Sequence, residues 1–319
     1  MPTIVENPVI SVNAISHYYG DRRALNDVSF DVKRGEAFCF LGPNGGGKTT
    51  MFKILSTLLV PSSGTARVCG FDVVRDPAKV RRRIGVVFQS PSLDLKLTVK
   101  ENLRCHGLMY GLRGSEAMRK IDEALSNLGL DDRRNEPVER LSGGLQRRVE
   151  IGKGLLSSPD LLILDEPSTG LDPGARIDLW DYLLRLRKEL TLTIAMTSHI
   201  LSEAEHCDRL AILDKGSLVA LDTPLRLKRE VGGEVISIVA KKPEEIKLLI
   251  KKRFKLDATV VENTLRFEKR NGHQFVPKII EAFPGKIDAV SVGQPTLEDV
   301  FIHRTGHRMR DEHPNGSDE

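Results

Sequence analysis

The segment Gly42–Thr50, GPNGGGKTT, constrains this chain more than any other stretch. It satisfies the pattern Gly-x4-Gly-Lys-Ser/Thr, whose chemistry requires a buried strand before the loop and a helix after it. Ala37–Leu41 is an apolar run that enters the loop, as such a strand would. Beyond it Met51, Ile54, Leu55, Leu58 and Leu59 recur at helical spacing, which predicts a helix running until Pro61. The glycines allow successive N–H groups to curl around an anion with no Cβ in the way, and the helix start adds the positive end of its dipole. In that setting Lys48 would reach the β- and γ-phosphates of a nucleotide and the Thr49 hydroxyl would ligate Mg²⁺. Gly42, Pro43, Asn44, Gly45, Gly46, Gly47, Lys48, Thr49 and Thr50 together form the expected phosphate cradle.

The surrounding pattern supports a sheet that can carry such a loop. Gly85–Phe88, Leu161–Leu164, Leu192–Thr197 and Arg209–Leu213 read as further buried strands, and Asp214-Lys215-Gly216-Ser217 turns into a hairpin partner at Leu218–Leu221. Near-continuous apolar strands with helices between them predict a parallel α/β sheet covered on both faces. Thr98–Leu128 is strand-poor, so a helical insertion is expected within about 90–160. A boundary is placed at Gly232-Gly233. Beyond it the order strand, helix, two strands, helix, strand, helix over 233–306 suits a small α+β domain of the split-βαβ kind. The polar tail 307–319 is expected to be disordered.

Composition narrows the setting. Of 319 residues, 40% are hydrophobic and 29% charged, as in ordinary globular proteins. No apolar run approaches the roughly 18–20 residues of a membrane-spanning helix, and no basic-then-apolar leader opens the chain, so a cytoplasmic protein is expected. Net charge is +4 with acids and bases interspersed, which does not suggest nucleic-acid binding. The basic clusters Arg81–Arg83 and Lys241–Lys255 read as solvated helix faces. Cys39, Cys69, Cys105 and Cys207 have no paired spacing and read as buried, reduced thiols.

Two further stretches carry chemistry. LLILDEP, Leu161–Pro167, is a buried strand ending in two carboxylates at the edge of a parallel sheet where ligands bind. Asp165 is placed to hold the Mg²⁺ shell, and Glu166 to orient the attacking water and take its proton. LSGGLQ, Leu141–Gln146, opens a helix with Ser142 as N-cap and Gly143 and Gly144 in its first turn. An uncrowded helix start binds anions. Since the chain's own ATP already has a phosphate loop, this second site suits a partner subunit's nucleotide.

In these motifs the sequence closely resembles the ATP-binding cassette (ABC) family across nearly all of residues 8–221. Gly42–Thr50 matches its phosphate loop, Leu161–Glu166 its acidic strand, and Leu141–Gln146 its signature. The resemblance implies a P-loop NTPase sheet with an antiparallel β subdomain, a helical insertion and, here, a small C-terminal α+β domain. It also implies Mg-dependent hydrolysis of ATP to ADP and phosphate. Gln89 matches the glutamine that touches Mg²⁺ and faces the membrane subunits, His199 the histidine that contacts the γ-phosphate, and Tyr19 the aromatic that stacks on adenine. Asp172 matches an aspartate at the dimer interface, where Ser142, Gly143 and Gly144 would act in trans. Gly46 stands where alanine is more frequent. The closing run Gln294–Phe301, with Thr305-Gly306, resembles the ATPases of daunorubicin-type drug exporters. The implied partners are a second ATPase subunit and a separate polytopic permease, at the cytoplasmic face of the membrane. The alternatives are an ABC ATPase acting on nucleic acid or ribosomes, or a cassette that has lost catalysis; the intact Lys48, Asp165, Glu166 and His199 stand against the latter.

Overall fold

The computed structural model describes residues 7–309, which divide into two compact units after Leu218. In the first, β1 (Ile10–Tyr19) and β2 (Arg22–Val32) form a long hairpin, and β3 (Ala37–Leu41) leads into α1 (Lys48–Leu55). Next come β4 (Ser63–Val68), β5 (Phe71–Asp72), α2 (Pro77–Arg81) and β6 (Ile84–Val87). Helices α3 (Val99–Met109), α4 (Gly114–Leu128) and α5 (Gly143–Leu155) follow, then β7 (Leu161–Asp165), α6 (Pro173–Leu190), β8 (Thr193–Ser198), α7 (Leu201–Ala204) and β9 (Arg209–Asp214); the division falls within the next strand, β10 (Ser217–Asp222).

Strands β3 and β6 to β9 are parallel neighbours in the order β9-β3-β8-β7-β6, with β10 at the β9 edge. Strands β3, β7 and β8 are buried at every position, as expected for a sheet covered on both faces. This stacking brings the carboxyl ends of β3, β7 and β8 side by side: Leu41 pairs with Ser198, and Asp165 with Thr197. A second, antiparallel sheet in the order β2-β1-β4-β5 carries Tyr19 at the end of β1.

Helix α1 stops at Leu55, a full turn before Pro61. The Ser56 hydroxyl donates to the Phe52 carbonyl at 2.8 Å, and Thr57 turns left-handed at φ +63°. Leu58, expected on the packed face, is consequently 57% exposed. Among the cysteines, Cys39 and Cys207 are buried, whereas Cys105 is exposed on α3, contrary to the expectation for all four.

The second unit comprises α8 (Pro224–Glu230), β11 (Glu234–Val239), α9 (Pro243–Phe254), β12 (Thr259–Val261), β13 (Thr264–Lys269), α10 (Gly272–Ala282), β14 (Ala289–Gly293) and α11 (Leu297–Thr305). Its antiparallel sheet, β12-β13-β11-β14, has the strand order of a split-βαβ domain. Ile236, Ile238, Leu265 and Phe267 pack there against Ile246, Ile250 and Ile279. Within this unit α8 and α11 are joined by the Glu230–Arg304 ion pair. The lysines of α9 are partly neutralised locally, Lys247 by Glu244 and Lys251 by Asp257. Of the tail, His307–Met309 are described and Arg308 pairs with Glu262 and Glu298, so order extends past residue 306; residues 310–319 lie outside the described residues.

Helix α5 lies close enough to β6 that a Cβ at Gly85 would sit 2.4 Å from the Gly154 carbonyl oxygen. Gly85→Ala should therefore destabilise the first unit by about 1–3 kcal/mol, read by calorimetry as a fall of roughly 2–12 °C in its thermal midpoint. An unchanged midpoint would mean that β6 and α5 separate without cost.

Candidate active site

The loop after β3 is built by close approach. A Cβ at Gly42 would lie 2.1 Å from the Leu213 carbonyl oxygen, and Gly47 sits at φ +105° with Ala24 and Leu25 packed against it. Only glycine meets both conditions. Gly46 is also confined, since a Cβ there would be 2.9 Å from the Pro43 carbonyl oxygen, so this loop has little room for the alanine seen more often. A cavity of about 280 Å³ opens beside the loop, lined by Tyr19, Arg22, Asn44, Lys48, Thr49 and Lys53 among others.

Lys48 is the first residue of α1 and is almost wholly buried. Its ammonium donates to the carbonyls of Gly42 at 2.8 Å and Pro43 at 3.0 Å, and lies 3.6 Å from the Glu166 carboxylate. Burial lowers its pKa, with the Glu166 charge opposing that shift.

Glu166 follows β7 directly and takes a left-handed backbone at φ +44°, unusual for a residue with a Cβ. The turn aims its carboxylate back across the sheet edge. One oxygen faces Lys48; the other accepts from Gln89 Nε2 at 3.1 Å and Thr169 Oγ1 at 3.3 Å and lies 3.2 Å from His199 Nδ1. Burial pushes the Glu166 pKa up, but the His199 hydrogen bond and the Lys48 charge outweigh it, so the carboxyl is held below its usual range. It is a carboxylate at neutral pH, ready to accept a proton.

Asp165 ends β7, is buried, and accepts from Thr197 Oγ1 at 2.6 Å. Burial raises its pKa, so a cation beside it would favour the ionised form. The same Thr197 oxygen accepts from the Glu166 backbone N–H at 2.9 Å, so one hydroxyl fixes both acids. Thr49, Asp165 and the Gln89 carbonyl offer only oxygen donors, the set a hard cation such as Mg²⁺ takes. Gln89 uses its amide nitrogen on Glu166, which leaves that carbonyl for a metal.

The structure thus brings Lys48, Gln89, Asp165, Glu166 and His199 together at one sheet edge. Ser142 and Asp172 instead make their capping bonds within their own helices, from Leu145 N at 3.4 Å and Ala175 N at 2.9 Å. The two helix starts are neighbours, since a Cβ at Gly144 would lie 3.2 Å from Ala175 Cβ, and Ser142, Gly143 and Asp172 are exposed. The first turns of α5 and α6 therefore face solvent beside one another.

Residues 25–169 match the model of the ABC transporter family. A daunorubicin resistance ATP-binding protein of Streptomyces coeruleorubidus is 35% identical over 94% of this chain and 97% of its own length. A linearmycin resistance ATP-binding protein of Bacillus subtilis is 35% identical over 95% of this chain and 100% of its own. The chain belongs to the ABC transporter family. It is an ATP-binding subunit that hydrolyses ATP. A Nod factor export ATP-binding protein of Ralstonia nicotianae is 35% identical over 97% of this chain and 98% of its own length. Among solved structures, a component of an ABC transporter complex from Clostridium perfringens matches at a TM-score of 0.65 with 29% identity, covering 78% of this chain and 97% of that one. A dimeric ATP-binding cassette in a post-hydrolysis state, bound to ADP and phosphate, matches at 0.59 with 28% identity, covering 67% and 98%. Among the described residues no helix is long and apolar enough to cross a membrane.

Sequence reasoning missed the residues that hold this ATPase site in shape. Arg147, buried in α5, donates to the Phe88 and Pro167 carbonyls at 2.7 Å each and reaches those of Asp165 and Glu166. Glu203 is buried and receives the hydroxyls of Ser168 and Ser198, tying the loop after Glu166 to the one carrying His199. Arg22 and Lys53 add positive charge to the cavity lining. A charged residue in an otherwise packed helix was the available signal for Arg147.

Thr197→Val keeps the side-chain shape but leaves Asp165 and the Glu166 N–H without their shared partner. Calorimetry should register a loss of about 1–3 kcal/mol for each buried group left unpaired, and ATPase turnover should fall with it. Wild-type stability and rate together would show that Thr197 does not hold the two acids.

Proposed function

We propose that two copies of this chain, or this chain and a paired ATPase subunit, enclose Mg-ATP between them and drive export through a separate polytopic permease at the cytoplasmic face of the membrane. The observation that carries the chemistry is the Glu166 carboxyl, held at the end of a buried strand between Lys48, Gln89 and His199. Water attacks the γ-phosphorus, the bond to the β-phosphate oxygen breaks, and Glu166 takes the proton released by the water. Phosphoryl transfer demands positioning and charge stabilisation more than covalent help. Lys48 and the loop N–H groups bind the phosphates, His199 faces the transferring group, and Tyr19 stacks on the adenine. Thr49, Gln89 and Asp165 would hold Mg²⁺, which when bound neutralises charge on the β- and γ-oxygens.

The exposed, capped starts of α5 and α6 support the trans arrangement. Ser142, Gly143 and Gly144 would contact a γ-phosphate cradled by the other copy, and Asp172 would line the same interface. ATP then closes the dimer because it touches both subunits, and hydrolysis removes the group that holds them together. Relatives named for drug resistance and for Nod factor export align over nearly the whole chain, which supports outward transport.

Mixing two inactive variants tests the composite site. In a Lys48→Ala/Ser142→Arg mixed dimer, a trans arrangement leaves one site with both residues intact, so ATPase activity should return on mixing. If each site were complete within one chain, no activity would return. Direction is read in cells that express the chain with its permease. Export predicts lower accumulation of a transported drug than in a Lys48→Ala strain, and an ATP-dependent rise would contradict it.

A further inference from the structure

The loop that carries Gln89 leaves β6 at Val87, and one helix fastens it at both ends. At its start, Arg147 on α5 donates to the Phe88 carbonyl at 2.7 Å. Three residues beyond Gln89, the carboxylate of Glu150 on α5 takes the Ser92 N–H at 2.5 Å and the Ser92 hydroxyl at 2.9 Å. Lys153, one turn further along α5, donates to the Ser92 carbonyl at 2.7 Å and hydroxyl at 2.6 Å. It also lies 3.8 Å from Glu150. Residues 147, 150 and 153 stand at the i, i+3, i+6 spacing that puts them on one helix face. All three are buried, whereas Ser92 itself is a surface residue.

These contacts exceed what packing a loop requires. Every polar group of Ser92 is engaged by a charged side chain, and charged partners make the stronger hydrogen bonds. Burying a carboxylate and an ammonium costs solvation that excellent geometry must offset. Burial lowers the Lys153 pKa, with Glu150 opposing it. Between the two fastenings, Gln89 has a single recorded side-chain contact, its 3.1 Å bond to Glu166. The position of that amide is therefore set by the ends of the loop. The same helix begins at Ser142, so a displacement of its start shifts the platform on which Gln89 rests.

We infer that Glu150 and Lys153 are positioning residues: by clamping Ser92 to α5 they hold Gln89 on Glu166. This rests on Gln89 and Glu166 belonging to the hydrolytic site as proposed above. The clamp acts on turnover through Gln89 and leaves nucleotide affinity to Lys48 and the phosphate loop.

A double-mutant cycle tests it. Glu150→Ala and Lys153→Met, which remove the bonds to the Ser92 N–H and to its carbonyl respectively, each should lower kcat about 10- to 100-fold, the scale of misplacing a catalytic group by about an ångström, with ATP affinity unchanged. In a Gln89→Ala background, the same substitutions should lower kcat by no more than about twofold further, because the group they position is gone. Full, additive losses in that background would overturn the inference, and so would wild-type kcat in a folded Glu150→Ala or Lys153→Met. If Glu150→Ala does not fold, Lys153→Met alone completes the cycle. Wild-type kcat in Gln89→Ala itself would instead remove Gln89 from the site, a separate failure that leaves the clamp without a function and overturns it too.

Discussion

One carboxylate gathers the side chains at this sheet edge. Glu166 is reached by Lys48 from the phosphate loop, Gln89 from the loop after β6, Thr169 from its own turn and His199 from the loop after β8. Each of these segments follows the carboxyl end of a parallel strand, so convergence on Glu166 requires β3, β6, β7 and β8 to stay in register. The sheet core enforces that register through strands with no exposed residue at β3, β7 or β8. A slip of one residue would turn each alternating side chain to the opposite face and disperse the site. The left-handed turn at Glu166 is the local strain the arrangement bears, and the Thr197 bond to its N–H restrains it.

The charges at this point oppose and correct one another. Burial raises the Glu166 pKa and lowers that of Lys48; the His199 hydrogen bond and the Lys48 charge oppose the first shift, and the Glu166 charge opposes the second.

Much of this was legible in the sequence, for physical reasons that differ by element. The β3–loop–α1 unit announces itself because its glycines are forced by backbone contacts at Gly42 and Gly47 and its flanks are apolar. The acids after β7 stand out because four buried residues precede them. The N-terminal sheet carries no such signal. Register shifts between Val12 and Tyr18, with Ala14 at φ +51°, break the alternation by which strands are recognised, and the sheet was expected only from the family resemblance. The early end of α1 depends on Ser56 bonding back to Phe52, which apolar spacing cannot reveal. Arg147 and Glu203 were missed because the Phe88 and Pro167 carbonyls that the first reaches, and the Ser168 hydroxyl that the second receives, are distant in sequence.

The central claim is that Glu166 receives the proton of the attacking water. It is tested most directly in single-turnover experiments on Glu166→Gln with Mg-ATP. The amide keeps the size and hydrogen-bonding reach of the side chain but loses its basicity. ATP affinity should stay close to wild type while the hydrolytic step slows by about 10²- to 10⁴-fold. A Glu166→Gln protein that bound ATP and hydrolysed it at the wild-type rate would contradict the account.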